Sequence, residues 1–394
     1  MLRIFKLLFI FMNMGNSLNS VSVLKTIPNS IAKLAFYWHK FTLMSASVTP
    51  TPINQRIHPL TALKNNPFVL SPMAGITDHA FRSFMKKLDA SVVVTELISA
   101  AGIEYKSQRT LDLMSYDESQ RPIGIQLFGE DPELIAKAAK VAEEHGADFV
   151  DLNFGCPVPK VVKKGAGSAM MKDLVLMQKV LSSCVKAVKI PITIKIRTGW
   201  EQNSRNALDV CNLAYDEGIT WVAIHGRTRA AGYTGLADWD FITEVKAKTK
   251  IPILGNGDIL TPQKAVLRLK ESGCDGVLIG RGALKNPLIF ADALSLYKGE
   301  SLRADLKRNY SGIFKDLYDA IRVQSSEHIT NIQLKKFASW FSTGYQGSSA
   351  FRKAIFQIKN NDDVLSCALE FFVSIGNIEQ QDTSGEDFLM GGHG

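Results

Sequence analysis

Asp151-Leu152-Asn153-Phe154-Gly155-Cys156-Pro157 begins as an apolar strand, entered from Asp148, and ends in a loop that holds one cysteine between a glycine and a proline. Gly155 lets the backbone turn freely, and Pro157 biases Cys156 towards an extended conformation. A thiol on a loop at a strand's C-terminal end is well placed to give or take a proton. A lone cysteine is equally often a small buried hydrophobe, so the neighbours must decide.

The neighbours repeat one unit. Short β-branched runs alternate with stretches of helical period from Pro67 onward. The expected strands are Phe68–Ser71, Ser91–Thr95, Pro122–Phe128, Asp148–Phe154, Ile192–Arg197, Trp221–His225, Ile251–Gly255 and Asp275–Gly280. Asp131–His145, with Pro132 in its first turn, and Thr261–Ser272, with Thr261 as cap, are expected helices. Eight strands in strict alternation with helices predict an α/β fold, a (β/α)8 TIM barrel spanning 61–300. A doubly wound sheet is disfavoured by the even spacing and by the lack of a G-x-G-x-x-G turn.

Barrels of this kind place their chemistry at the C-terminal ends of the strands. Polar and glycine-rich clusters fall there at nearly every strand. The seventh ends in Gly255-Asn256-Gly257-Asp258 and the eighth in Gly280-Arg281-Gly282, two adjacent loops suited to a phosphate. Lys195 and Arg197 share one parity along the fifth strand, and His225 and Arg227 repeat the pattern on the sixth. A lysine inside a barrel is costly unless it meets an anion, either an internal partner such as Glu96 or Asp151 or a ligand. Gln126 and Asn153 carry amides that donate and accept at once, suited to a heterocycle's edge or to the backbone. A phosphate-bearing heterocycle with Cys156 across from it accounts for the set, and flavin mononucleotide (FMN) fits. No His or Asp adjoins Cys156 in sequence, so it suits a general acid better than an activated nucleophile.

The chain has 394 residues, 46% of them hydrophobic, and a formal charge of +8. The five cysteines (156, 184, 211, 274, 367) are widely spaced and include no C-x-x-C pair, which argues against a disulfide framework or a zinc site. No metal is expected. Residues 1–77 contain no Asp or Glu. Leu2 to Met12 is apolar but far short of the ~20 residues that span a bilayer. Translation starting at Met44 is the first reading of residues 1–60, a transit peptide the second; they are expected outside the fold, with a cytoplasmic location or, for a transit peptide, an organelle. Residues 301–375 read as a helical domain, with helices at Leu302–Val323, Ile332–Tyr345 and Ser349–Lys359. From His328 to Asn361 the stretch is acid-free, with Trp340, Phe341, Tyr345 and Phe351 interleaved among basic residues. Residues 376–394 read as a disordered tail.

These motifs, taken in order, resemble the tRNA-dihydrouridine synthase family over about residues 67–360, the bacterial B-type branch most closely. The matching stretches are Leu70 to Asp78, Asp151 to Pro157, Lys163 to Ala169, Lys195-Ile196-Arg197, His225 to Arg229, Gly232 to Gly235, Ala237 to Trp239, Asn256-Gly257-Asp258 and Ile279 to Gly282. The resemblance implies an FMN enzyme that reduces the 5,6 double bond of particular uridines in the tRNA D-loop, with NADPH as electron donor. Cys156 would protonate C5 while hydride reaches C6. Pro72, Met73, Ala74, Gln126, Asn153, Lys195 and His225 would surround the flavin ring. Asn256, Gly257, Asp258, Gly280 and Arg281 would serve its phosphate end. Lys160, Arg197, Arg227, Lys335, Lys336 and Arg352 would contact tRNA, and a monomer without membrane attachment is expected. The alternative is a flavin barrel acting on a free pyrimidine or other small enone, which would leave the helical region without a task. An RNA-binding role without catalysis would leave Cys156, Lys195 and both phosphate loops unexplained.

Overall fold

The computed structural model describes residues 52–376 and Gln380; the readings of residues 1–51, of 377–379 and of the tail from 381 lie outside the described residues. Eight parallel strands form the ring: β1 (Phe68–Leu70), β2 (Val93–Val94), β3 (Ile123–Phe128), β4 (Phe149–Phe154), β5 (Ile192–Arg197), β6 (Val222–His225), β7 (Ile253–Asn256) and β8 (Gly276–Ile279). Each pairs with its sequence neighbour from β3 to β8, β2 pairs with β3, and β8 returns to β1. Hydrogen bonds from Ser91 N to Phe68 O (3.0 Å) and from Leu70 N to Val92 O (3.1 Å) close the seam between β1 and β2. The barrel expectation holds. A two-residue strand, Ile98–Ser99, also pairs with the end of β3, too short to leave a periodic signal in sequence.

Alternation along each strand sorts the residues. Val69, Phe149, Trp221, Ala223, Leu254 and Leu278 point inward and fill the lower barrel. The residues nearer the C-terminal ends on that inward face are polar. Leu63, on the helix Pro59–Asn65, joins the inner cluster and stoppers the N-terminal end. Arg56 ties this lead-in down by donating to Ala147 O (2.7 Å) and Glu143 O (3.3 Å). The end of the segment expected outside the fold, residues 1–60, therefore packs against it through Arg56 and buried Pro59, and Leu63 just beyond it adds about 2 kcal/mol of apolar burial.

Beyond the barrel come four helices, Tyr310–Gln324, Glu327–Phe341, Ser348–Gln357 and Asn361–Ile375. The first starts later than its apolar pattern suggests, because residues 302–309 are strapped to the barrel: Arg303 pairs with Asp89 (2.7 Å) and Arg308 with Asp292 (2.6 Å). The second starts earlier, with Ser326 capping at Ile329 N (3.4 Å). The fourth was not anticipated; Asn360 caps it at Asp363 N (2.8 Å). Phe337 stacks on Phe81 of the barrel helix His79–Lys87 (centroids 4.9 Å apart). Trp340, Phe341 and Phe351 are buried, so these aromatics among the basic residues form the helices' core rather than a nucleic-acid-facing surface. No helix among the described residues is long and apolar enough to cross a membrane.

Candidate active site

The strand ends converge on one cavity in the barrel mouth. Pro72, Met73 and Ala74 reach it from the loop after β1, and Gln126, Asn153 and Cys156 from β3 and β4. Lys195, Arg197 and His225 enter from β5 and β6; Asn256, Gly257, Asp258, Gly280 and Arg281 close it from the last two loops. The register explains the gathering: Asn153 lies opposite Lys195, Arg197 opposite His225, and His225 opposite Asn256.

The Cys156 loop is held from several sides. Asn153 Oδ1 accepts from Gly155 N (3.1 Å) and Cys156 N (2.8 Å), while Ser168 Oγ donates to Cys156 O (2.9 Å). Arg197 Nε donates to Gly155 O (2.9 Å). Burial pushes the Cys156 thiol up, against the opposing pull of the Val158 amide and of the cations Arg197 and Lys195. The thiol therefore carries its proton at neutral pH. Beneath it, Gln126 Nε2 donates to Asp151 Oδ2 (2.7 Å) and Gln126 Oε1 accepts from Asn153 Nδ2 (3.0 Å). The two amides therefore bond to each other first, leaving each one N–H for a ligand.

Lys195 does not pair directly with Glu96 or Asp151: its Nζ donates to Asn256 Oδ1 (3.2 Å). Burial and the neighbouring Arg197 lower its pKa to about 8, although Asp151 and Cys156 pull the other way. His225 is held well below the ordinary histidine range by burial and by four surrounding cations, Arg197, Lys195, Arg227 and Arg281. It is neutral, able to donate from one nitrogen and accept at the other.

At the opposite end, Asp258 pairs with Arg281 (3.1 Å) and with Arg227 (2.9 Å). Two guanidiniums thus share one carboxylate, and with Lys195 the cavity keeps a positive excess suited to an anionic ligand. Asp258 presents no donor to an anion; its part is to hold Arg281 and Arg227. Gly257 has φ +131°, and a Cβ there would lie 2.4 Å from Ala237 Cβ, so only glycine fits the turn.

The expected tRNA contacts divide. Lys160 is exposed beside the Cys156 loop, and Lys335, Lys336 and Arg352 are half-buried on the C-terminal helices. Arg227, expected to contact tRNA, is only 4% exposed, a correction to that expectation. Its guanidinium bonds Thr234 O (3.2 Å), Gly235 O (2.6 Å) and Asp258, bracing the loop after β6 from within. Arg197 is also buried: it lines the cavity while donating to Thr228 O (2.9 Å) and Gly232 O (2.8 Å), so it faces a ligand inside rather than an outer backbone. Sequence reasoning did not single out Leu97 and Tyr233, which also line the cavity. The Tyr233 ring lies 5.7 Å from the Arg197 guanidinium and 5.3 Å from that of Arg281. Its flanking glycines, Gly232 and Gly235, were the available signal.

A family model described as dihydrouridine synthase matches residues 69–375. A probable tRNA-dihydrouridine synthase of Rickettsia prowazekii is 39% identical over 310 residues, covering 78% of this chain and 94% of that protein. The tRNA-dihydrouridine synthase B of Pseudomonas aeruginosa is 35% identical over 323 residues, covering 82% and 97%. Among solved structures, an old yellow enzyme homologue from Zymomonas mobilis superposes with a TM-score of 0.41 at 13% identity, over 62% of this chain and 91% of that one, too loosely to bear on function.

Proposed function

The chain belongs to the dihydrouridine synthase family, and we propose that it reduces the 5,6 double bond of specific uridines in tRNA, with FMN as its cofactor and NADPH as reductant. The donor set suits FMN. Arg281, backed by Asp258, and the Asn256-Gly257 turn would hold the phosphate; Met73, Gln126, Asn153 and Lys195 would border the ring. When bound and reduced, FMN supplies the hydride that reaches C6 of the uracil.

The rest is work for the chain's own side chains. Uracil C6 is electrophilic because the C4 carbonyl withdraws density, and addition there leaves an enolate that needs a proton at C5. Cys156, kept neutral by burial, gives that proton. The thiolate that remains is stabilised by the same Lys195 and Arg197 that oppose the thiol's upward shift, until solvent returns the proton. Neutral His225 and the spare N–H of Asn153 would bond the uracil carbonyls. The base must leave its stack to enter the mouth, at a cost of a few kcal/mol that phosphate contacts offset. Arg197, already lining the cavity, is assigned to the flipped nucleotide; Lys160, Lys335, Lys336 and Arg352 are assigned to the outer tRNA backbone.

One feature supports this reading above the others: a proton-bearing thiol and a cationic anion cradle line the same cavity. Bleaching the bound flavin with NADPH and then adding acceptors tests it. Dihydrouridine-free tRNA should restore the yellow colour at least a hundred times faster than uridine, uracil or orotate. Equal or faster return with a free pyrimidine would assign the small-molecule reaction instead.

A further inference from the structure

The mechanism above makes no use of Asp151, a carboxylate 4% exposed in the barrel interior, two residues before Asn153 on β4. We propose that Asp151 is a positioning residue: through Gln126 and Asn153 it sets the direction of a hydrogen-bond relay that fixes the backbone of Cys156. The inference rests on the proposed role of Cys156 as proton donor.

An ionised carboxylate only accepts hydrogen bonds, and both Asp151 oxygens are engaged: Oδ1 by Thr193 Oγ1 (2.6 Å) and Oδ2 by Gln126 Nε2 (2.7 Å). That contact forces the Gln126 amide to turn its nitrogen down and its oxygen up. The raised oxygen takes Asn153 Nδ2 (3.0 Å), which forces the second amide round in the same sense. Asn153 Oδ1 is then left facing the two N–H groups of Gly155 and Cys156. A terminal amide can sit either way round, and an inverted Asn153 would point its NH2 at two backbone donors and release the loop. The carboxylate at the foot can only accept and the two backbone N–H groups at the head can only donate, so the amides between them have one consistent direction. Burial also raises the pKa of Asp151, opposed by the hydrogen bonds from Gln126 and Thr193 and by Lys195. Those three groups favour the carboxylate form that burial disfavours. Ser168 holds the Cys156 carbonyl from the other side, so the relay supplies the half of the clamp that faces the cavity.

The relay needs an acceptor at position 151, not a charge. D151N can present its oxygen to Gln126 and its nitrogen to Thr193, whereas D151L offers neither. The test compares these variants by site-resolved iodoacetamide labelling of Cys156, with Cys367 as internal reference, and by turnover on dihydrouridine-free tRNA. D151N should stay within threefold of the parent protein in both. D151L should label Cys156 at least fivefold faster and lose at least tenfold in kcat with KM little changed. If D151N is as damaging as D151L, charge rather than hydrogen-bond direction matters and the relay is wrong; a D151L protein that labels like the parent overturns it as well. Should D151L fail to fold, N153D takes its place. The carboxylate it introduces still accepts from the loop but turns Gln126 round against Asp151, so adding D151N, which can donate back, should recover at least fivefold in kcat; no recovery overturns the relay. Labelling that follows the expected order in a protein unable to reduce tRNA would remove the substrate reading and leave the relay standing.

Discussion

Cys156 sits where burial and two cations pull in opposite directions, and the balance suits a group that must keep a proton and then give it up. Cys156→Ala should keep its flavin and its reduction by NADPH, yet lose roughly 100-fold or more of tRNA reduction, the usual scale of a lost general acid; stopped-flow traces of the two half-reactions separate these effects, and undiminished tRNA turnover would exclude the thiol. Lys195 carries a pH signature. Its folded pKa of about 8 lies below the ordinary 10.5. The unfolded chain therefore holds more protons across that window, and this group makes the fold more stable as pH rises from 8 to 10.5. Attraction for an anionic cofactor runs the other way and fades as pH passes about 8. Titrating the flavin-free protein with FMN from pH 6 to 10 should show affinity falling with a midpoint near 8, and K195M should bind more weakly without that step. At this scale the sequence was legible wherever a residue lay on a strand, because parity alone aims Lys195, Arg197 and His225 at one space. It failed at Arg227. The strand ends at His225, the alternation ends with it, and the backbone turns the next arginine into the wall.

The loop Gly226–Asp238 owes its shape to that arginine. Arg227 grips the carbonyls of Thr234 and Gly235, Ala237 N donates to Asp258 (2.7 Å), and Asp238 N closes on Gly226 O (2.7 Å). Arg227→Ala should cost about 3 kcal/mol, the low end for breaking a buried pair, because Asp258 keeps Arg281. Chemical denaturation reads this directly. The salt dependence of tRNA binding should keep its slope; a slope lowered by about one with stability intact would return Arg227 to the tRNA backbone. The elements themselves were mostly readable, since eight apolar strands and their capped helices repeat a single pattern. Those that escaped lack such a pattern. Pro59–Asn65 is short and docks through Leu63, and Asn361–Ile375 follows a polar turn that resembles the start of a tail.

Across the whole molecule, charge rather than shape is the proposed mark of the tRNA-facing surface. The basic residues of the C-terminal helices lie outside the buried core of Phe314, Phe341, Phe351 and Phe372, but Lys335, Lys336 and Arg352 are half-buried, so the denaturation midpoint of the exchanged protein is measured alongside. Reversing Lys335, Lys336, Arg352 and Lys353 to Glu should weaken tRNA binding at least tenfold at moderate salt and flatten its salt dependence, while flavin reduction by NADPH is unaffected. Filter binding across a salt series checks this, and an unchanged affinity and slope would move the partner surface elsewhere. Substrate and reaction stand or fall together. Incubating the protein with NADPH and tRNA from cells that make no dihydrouridine, then mapping dihydrouridine by position, tests both at once. New dihydrouridine confined to particular D-loop positions is the predicted result. A protein whose flavin is reduced by NADPH but which leaves every uridine of that tRNA intact would contradict the account.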